Sequence, residues 1–300
     1  MTACDGGEDF PRDDSSLKIA VRATSSLDPA FLRDATGILV ARQIFEPLLS
    51  FDSNTSRVVP ALASSFEVHD GGSRFVFRLR DSKFHNGRAV TAGDLVYSLN
   101  RLASKPINSE ASFLLDSVAG FNEVNVTGTA AALQGLRELD ALTLEITLSA
   151  PWFDFPFVLT HPSTAPVPRE AVEAGAEAFS KNPVGNGPYQ MFTQMTESGD
   201  IFLKRFEGYH RKAKIASVEM LAYEEPEVAW RDLEAGTIDV AEIPPGKTGE
   251  GRSKYGSRGL TPVAAGLYVG FNLSNPKFAD VKLRRAISLA IDRAAISRFI

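Results

Sequence analysis

FEVHDGGSRFVFRLRDSKFHNGRAVTAGDLVYSLNRL, residues 66–102, changes its hydrophobic period halfway along, and that change sets the fold class. The first half alternates. Phe66 and Val68 share one arm, and Phe75, Phe77 and Leu79 share a face on the other, which predicts a strand pair. Asp70-Gly71-Gly72 between them supplies the positive φ angles of a tight turn. The second half repeats at helical spacing. Thr91 predicts an N-cap, and Asp94 three residues on completes an acidic form of the capping box. Leu95, Leu99 and Leu102 then line one helix face. Nothing in the unit looks catalytic, since no acid, base or metal set is attached to it.

The mixture continues on both sides. LKIAVR (17–22) alternates as a strand. FLRDATGILVARQIFEPLL (31–49) has helical spacing, with Leu39, Gln43 and Phe45 on a helix that Pro47 ends or bends. ALTLEITL (141–148) sets Leu142, Leu144, Ile146 and Leu148 against Thr143, Glu145 and Thr147, a half-buried antiparallel strand. Residues 151–168 interleave prolines with Trp152, Phe153, Phe155 and Phe157, an ordered irregular crossing. NPVGNGPYQM (182–191) predicts a turn into a strand, and IFLKRF (201–206), VEMLAY (218–223), TIDVAEI (237–243) and LYVGFNL (267–273) predict further strands. Pro226 and Gly236 bracket a helix over EVAWRDLEA. GKTGEGRSKYGSRG (246–259) reads as a Gly-rich surface loop. From Asp280, Leu283, Ile287, Ala290, Ile291 and Ala294 repeat at helical spacing. That stripe runs to Ile300 without a cap, as expected of the front portion of a longer protein.

Composition narrows the function. Of the formal charge of −5, residues 1–14 hold five acids against Arg12, leaving the remainder near neutral at −1. A nucleic-acid footprint needs a basic face, so none is expected. The single cysteine, Cys4, excludes an internal disulfide and a cysteine zinc site. Histidines 69, 85, 161 and 210 show no HExxH or paired spacing. No G-x-S-x-G nucleophile elbow occurs. GKT at 246–248 lacks the P-loop's first glycine, because position 241 is Ala241. Asn54, Asn125 and Asn272 fit the glycosylation pattern, and Glu224–Glu225 reads as a solvated face. No catalytic set, cofactor or metal is expected. Thr2-Ala3-Cys4, followed by an acidic stretch, resembles the end of a bacterial lipoprotein signal, without the apolar run that normally precedes one.

Five stretches in fixed order carry a wider resemblance: FEPLLSFD (45–52), residues 58–102, NPVGNGPYQM (182–191), LEAGTIDVAEIPP (233–245) and YVGFNLSNPKFADVKLRRAISLAIDRAAI (268–296). Together they resemble the family 5 extracytoplasmic solute-binding proteins, the peptide- and nickel-type receptors of ABC importers. The resemblance covers the chain from about residue 17. It implies an α/β fold of the type II periplasmic-binding-protein kind, a mixed α+β first lobe with an inserted subdomain. On that basis 1–16 is a disordered acidic tether, 17–45 and 180–260 the first-lobe core, and 46–179 the inserted subdomain. Residues 261–300 are then a hinge strand and the start of a truncated second lobe.

The resemblance also implies a monomeric receptor that closes on a small peptide or metal chelate and delivers it to ABC permease and ATPase subunits. A lipidated Cys4 would tether it to the outer face of the membrane. Expected ligand-facing residues are Ser25, Ser26 and Asp28 after the first strand, Asn186 and Gly187 at the turn, and Tyr268 and Asn272 where the chain crosses lobes. Turn formation at Asp28-Pro29 is the competing reading for the first group. Phe113 loosely matches a cleft aromatic of nickel-type members, against the plainer reading of a core phenylalanine. Asn186 replaces the family's usual threonine, Asn86 its usual aspartate, and Gly93 a common acidic residue. These departures leave the ligand class open. A ligand-sensing domain feeding a regulatory partner is the alternative, and an α/β hydrolase lacks its nucleophile and base.

Overall fold

The computed structural model describes residue 10 and residues 16–261 and 268–297. Cys4 and nearly all of the expected tether lie outside them. The chain divides into two compact units, Met1–Glu224 with Ile238–Val240, and Glu225–Thr237 with Ala241–Ile300.

The first unit holds three sheets. β1 (Ser16–Val21) pairs in parallel with β10 (Ser217–Ala222), and β9 (Ile201–Arg205) and β8 (Tyr189–Met191) extend that sheet antiparallel. TIDVAEI forms no strand. Val240 alone makes a parallel bridge to Ile19, with Ala20 N–H donating to Val240 O at 2.8 Å. β2 (Leu49–Asp52) and β3 (Arg57–Pro60) make a two-stranded ribbon. The third sheet, of β4 (Ala63–His69), β5 (Arg74–Leu79), β6 (Leu136–Asp140) and β7 (Thr143–Thr147), is antiparallel in the order β4-β5-β7-β6.

The period change at 66–102 is realised residue by residue. Phe66 faces Phe77 and Val68 faces Phe75 across the β4–β5 pair. Asp70, Gly71 and Gly72 all have positive φ, 50°, 65° and 93°. Helices α1 (Ala35–Ile44) and α2 (Ala92–Ala103) follow β1 and β5. Thr91 and Asp94 form the reciprocal capping box of α2. Leu95, Leu99 and Leu102 are fully buried with Phe75, Phe77, Leu144 and Ile146. Each such leucine contributes about 1.5–3 kcal/mol by burial. A second core joins α1 to the β1 sheet through Val40, Ile44, Ile201, Leu203 and Met220.

Several local expectations change. The buried face of α1 is Thr36, Gly37, Val40, Ala41 and Ile44, while Leu39 is exposed, because Asp34 caps the helix and sets its phase. β7 is covered on both faces. As an interior strand it buries Thr143 and Glu145, and Glu145 accepts from Arg74 Nη1 (3.2 Å) and Arg137 Nη2 (2.9 Å). The proline-rich crossing winds into the short helix α3 (Phe155–Val158), and α4 (Arg169–Ala174) and α5 (Ala176–Lys181) follow.

In the second unit, α6 (Pro226–Ala235) ends at Gly236 as its spacing predicts. The expected Gly-rich loop instead forms α7 (Thr248–Tyr255). Tyr255 meets the buried Trp230 edge-on at 5.9 Å, and Lys254 pairs with Glu234 at 3.0 Å, so tertiary contacts outweigh the poor helix propensity of glycine. Residues 268–273 carry no strand. The last helical pattern is two helices, α8 (Val281–Ala290), capped by Asp280, and α9 (Arg293–Ile296), capped by Asp292. On the apolar stripe Leu283 is exposed while Ile287 and Ile291 are half-buried, and Leu289 on the other side of α8 is 84% exposed.

Candidate functional site

Parallel pairing puts the carboxyl ends of β1 and β10 on one edge of the sheet, where Val21 is level with Ala222. Ligands of open α/β sheets bind outside such an edge. From it the chain continues as Arg22–Ser26 and as Tyr223–Glu224. Tyr223 N–H donates to Val21 O at 2.8 Å, and Arg22 Nη1 donates to Glu224 O at 3.2 Å, so the two exits are tied together. Thr24 Oγ1 donates to Asp34 Oδ2 at 2.8 Å, while Asp34 Oδ1 accepts from Gly37 N–H at 2.7 Å. One carboxylate thus caps α1 and fixes the loop after β1. Ser25 is exposed on that loop, and Ser26 is buried beneath it, its Oγ accepting from Asp28 N–H at 3.1 Å. Hydroxyls, backbone groups and a guanidinium at a strand edge can hydrogen-bond a peptide-like solute. They cannot by themselves activate a nucleophile.

Asp28 does not face outward. It is wholly buried, and Arg101 of α2 grips it with Nη1–Oδ1 at 2.8 Å and Nη2–Oδ2 at 2.6 Å. Its Oδ1 also accepts from Ala30 N–H at 3.0 Å, and the Arg101 guanidinium lies over the Phe31 ring. Asp28 is therefore a turn former and one half of an ion pair that fastens the loop to α2.

Asn186 and Gly187 are likewise committed to structure. Asn186 is wholly buried, accepting from Glu46 N–H (2.9 Å) and donating to Glu46 O (3.0 Å). Gly187 N–H donates to Ile44 O at 2.7 Å. A side chain at Gly185 would put its Cβ 2.1 Å from Ile44 O, so the turn needs glycine for close approach. His85 grips the same turn from the other side. Its Nδ1 accepts from Gly185 N–H at 3.2 Å, and its Nε2 donates to Gly187 O at 3.1 Å. Burial pushes the His85 pKa down to about 4, so the ring stays neutral and keeps one acceptor and one donor.

Glu46 extends this network in a way no sequence signal announces. It is buried, and its Oε1 accepts from Tyr209 Oη at 2.5 Å and His210 Nε2 at 2.8 Å. Burial and the adjacent Glu46 carboxylate push Tyr209 up to about 12, so the phenol remains a donor. Both of these bonds fall on Oε1, and Oε2 is buried without a hydrogen-bond partner among the described residues.

Phe113 is 64% exposed on the turn Ser112–Leu115 and is not a core residue. Tyr268, 86% exposed, and Asn272, whose Oδ1 accepts from Ser274 N–H at 3.0 Å, belong to the second unit. A groove of about 460 Å³ runs along α2 past Tyr97, Arg101 and Arg169. Its cations are already paired, Arg101 with Asp28 and Arg169 with Glu173. Among the described residues no cluster of histidine, cysteine or carboxylate side chains is arranged to hold a metal. No helix among them is long and apolar enough to cross a membrane. Arg22 and Tyr223 were not singled out from sequence. The available signal was that LKIAVR and VEMLAY both end where they stand.

Residues 57–300 match the family described as bacterial extracellular solute-binding proteins, family 5 Middle. The chain belongs to that family. The probable deoxycholate-binding periplasmic protein YgiS of Escherichia coli is 29% identical over 281 residues, 91% of this chain and 52% of YgiS. The periplasmic oligopeptide-binding protein OppA of Escherichia coli is 31% identical over 281 residues, 90% of this chain and 51% of OppA. The chain thus spans about half the length of these curated relatives. The Burkholderia pseudomallei OppA structure matches with a TM-score of 0.84 at 29% identity, covering 95% of this chain and 57% of that one. The fold is that of the type II periplasmic binding proteins, and these family 5 relatives are named as binding proteins.

Proposed function

We propose that this chain is part of a receptor that captures short peptides outside the cytoplasmic membrane and presents them to an ABC permease with its ATPase. The observation that carries the reading is the match over nearly the whole chain to an OppA structure, together with 31% identity to the periplasmic oligopeptide-binding protein OppA of Escherichia coli. The open edge at the carboxyl ends of β1 and β10 agrees with it. A peptide needs donors and acceptors along an extended path, and the exposed Arg22 and Ser25 stand on the exit from β1. In this reading residues 17–45 and 180–260 are the first-lobe core, 46–179 an inserted subdomain, and 261–300 the entry to a second lobe. Ser25 borders the ligand on the first unit, on a loop that the buried Ser26 helps to fix, and Tyr268 and Asn272 are the ligand residues proposed on the second unit. Phe113 is a further exposed aromatic for side-chain contact. Asp28 fixes the loop that carries Ser25, Asn186 and Gly187 hold the 185–187 turn, and in this reading none of the three touches the ligand. A metal chelate is the other ligand class the family resemblance brings.

Ligand that bridges two lobes selects the closed state by differential affinity. The test is thermal unfolding of the protein at its full encoded length with short peptides of mixed sequence. Binding at a hundred times Kd adds about 2.7 kcal/mol to stability, a clear rise in Tm. Flat melting curves across peptides, together with a rise for a nickel chelate, would move the ligand class. Flat curves for both would remove the receptor reading. Cys4 is proposed as the lipid anchor. A Cys4→Ser change should release the natively expressed protein from the detergent phase, and unchanged partitioning would remove the anchor.

A further inference from the structure

The sequence contains two Asn-Gly pairs, Asn86-Gly87 and Asn186-Gly187. The fold treats them oppositely. Asn186 is wholly buried, and both its amide oxygen and its amide nitrogen are bonded to Glu46. Gly187 is buried with it, its N–H held by Ile44 O at 2.7 Å. Asn86 and Gly87 are both exposed at the tip of the Lys83–Ala89 turn. Gly87 has φ +87°, and nothing lies within 4 Å of the position a Cβ would take there.

We infer that Asn86 is a site of spontaneous covalent modification, deamidation through attack by the Gly87 backbone nitrogen, and that Asn186 is not. In the first step Gly87 N bonds to Asn86 Cγ, the Cγ–Nδ2 bond breaks, and ammonia leaves with the proton from Gly87. A five-membered imide remains. Water then opens the ring at either carbonyl, giving aspartate or isoaspartate at position 86, with no oxidant or reductant involved.

The local geometry favours the first step at Asn86. Its Oδ1 accepts from Arg88 N–H at 3.1 Å, which polarises the Cγ carbonyl and supports the oxyanion formed during attack. The missing Cβ at Gly87 leaves the approach unobstructed. The opposing interaction is one hydrogen bond, Gly87 N–H to Phe84 O at 2.8 Å, at an exposed turn where opening is easy. At Asn186 the same attack requires breaking the bonds to Glu46 and Ile44 inside the core.

The product has a local consequence. Arg88, whose N–H is bonded to the Asn86 side chain, pairs with Glu170 at 2.7 Å. A carboxylate at 86 adds a negative charge beside that pair. Isoaspartate also inserts an extra backbone carbon next to His85, whose ring clips the turn at 185–187.

The test incubates the folded chain at mildly alkaline pH and maps its peptides by mass and isoaspartate content, with a denatured sample in parallel. In the folded chain, conversion at 86 should exceed that at 186 by more than about tenfold, the factor that about 1.4 kcal/mol of opening cost gives. In denaturant the two sites should react alike. An acidic isoform should accumulate on isoelectric focusing and be absent from Asn86→Gln. Equal conversion at both sites in the folded chain overturns the inference. So does an Asn86 that reacts only when the chain is unfolded, or an acidic isoform that persists in Asn86→Gln.

Discussion

The turn at 185–187 and the loop at 22–28 look alike in sequence: short, polar, Gly- or Ser-containing, each at the end of a regular element. Their fates differ. The Asn186 amide, the N–H and C=O of Gly185 and the N–H and C=O of Gly187 are all spent internally, on Glu46, Ile44 and His85. The 22–28 loop is pinned at Thr24, Ser26 and Asp28 but leaves Arg22 and Ser25 exposed. Rigid buried anchors flanking a short open stretch are what a preorganised binding edge requires. Polarity at a strand end therefore does not distinguish a ligand contact from an anchor; burial and partners do.

That contrast can be broken at several points. The largest effect is expected at Arg101→Ala, which leaves Asp28 buried and unpaired and should destabilise by about 3–5 kcal/mol in urea unfolding. A double change of both residues to apolar side chains should recover much of the loss. If Arg101→Ala alone is neutral, the ion pair does not anchor the loop. Asn186→Ala strands the N–H and C=O of Glu46 and should cost roughly 2–4 kcal/mol, counting two buried groups at about 1–3 kcal/mol each. Equal tolerance of alanine at Asn186 and Ser25 would erase the distinction between the two regions.

The clip can be read by pH. The folded pKa of His85, about 4, lies below its ordinary 6.5, so in this window the unfolded chain binds the proton first. Stability contributed by the neutral ring is present above about pH 6.5 and is lost as pH falls through about 4, roughly 3 kcal/mol in total. His161, held down by burial and then by the Arg42 charge, adds to the same trend. His85→Gln should flatten the limb between about pH 6.5 and 5, where ordinary carboxylates remain ionised. An unchanged slope would show that the ring is not held neutral by the fold. Thr91→Ala should cost about 1 kcal/mol through loss of the α2 cap. Smallest of all, Ser25→Ala should leave stability within about 0.5 kcal/mol while weakening peptide affinity; loss of stability without loss of affinity would reclassify Ser25 as another anchor.

Much of this was legible in the residues. The 66–102 unit, the capping box at Thr91 and Asp94, the bracket of Pro226 and Gly236, and the mixed α/β class all follow from periodicity and local steric preference, which act over a few residues. The same local rules misjudged 246–259, where packing on Trp230 makes a helix of a Gly-rich stretch. They also left Leu39 on the wrong face of α1 and gave β7 an open face, where Glu145 is in fact buried under Arg74 and Arg137. None of the chemistry at Glu46 could be foreseen, since its partners lie 163 and 164 positions away.

Sequence by itself determined many of the strands and helices of the first unit, where several of them start and stop, and that no nucleophile elbow or metal motif is laid out along the chain. Those properties depend on neighbours within a turn or two of backbone. Only the tertiary structure decided that Asp28 belongs to Arg101, that Asn186 belongs to Glu46, and that Asn86 stays open while its twin pair is sealed. A polar side chain has many possible partners, and the one it takes is fixed by which distant residue the packed core brings within hydrogen-bond reach.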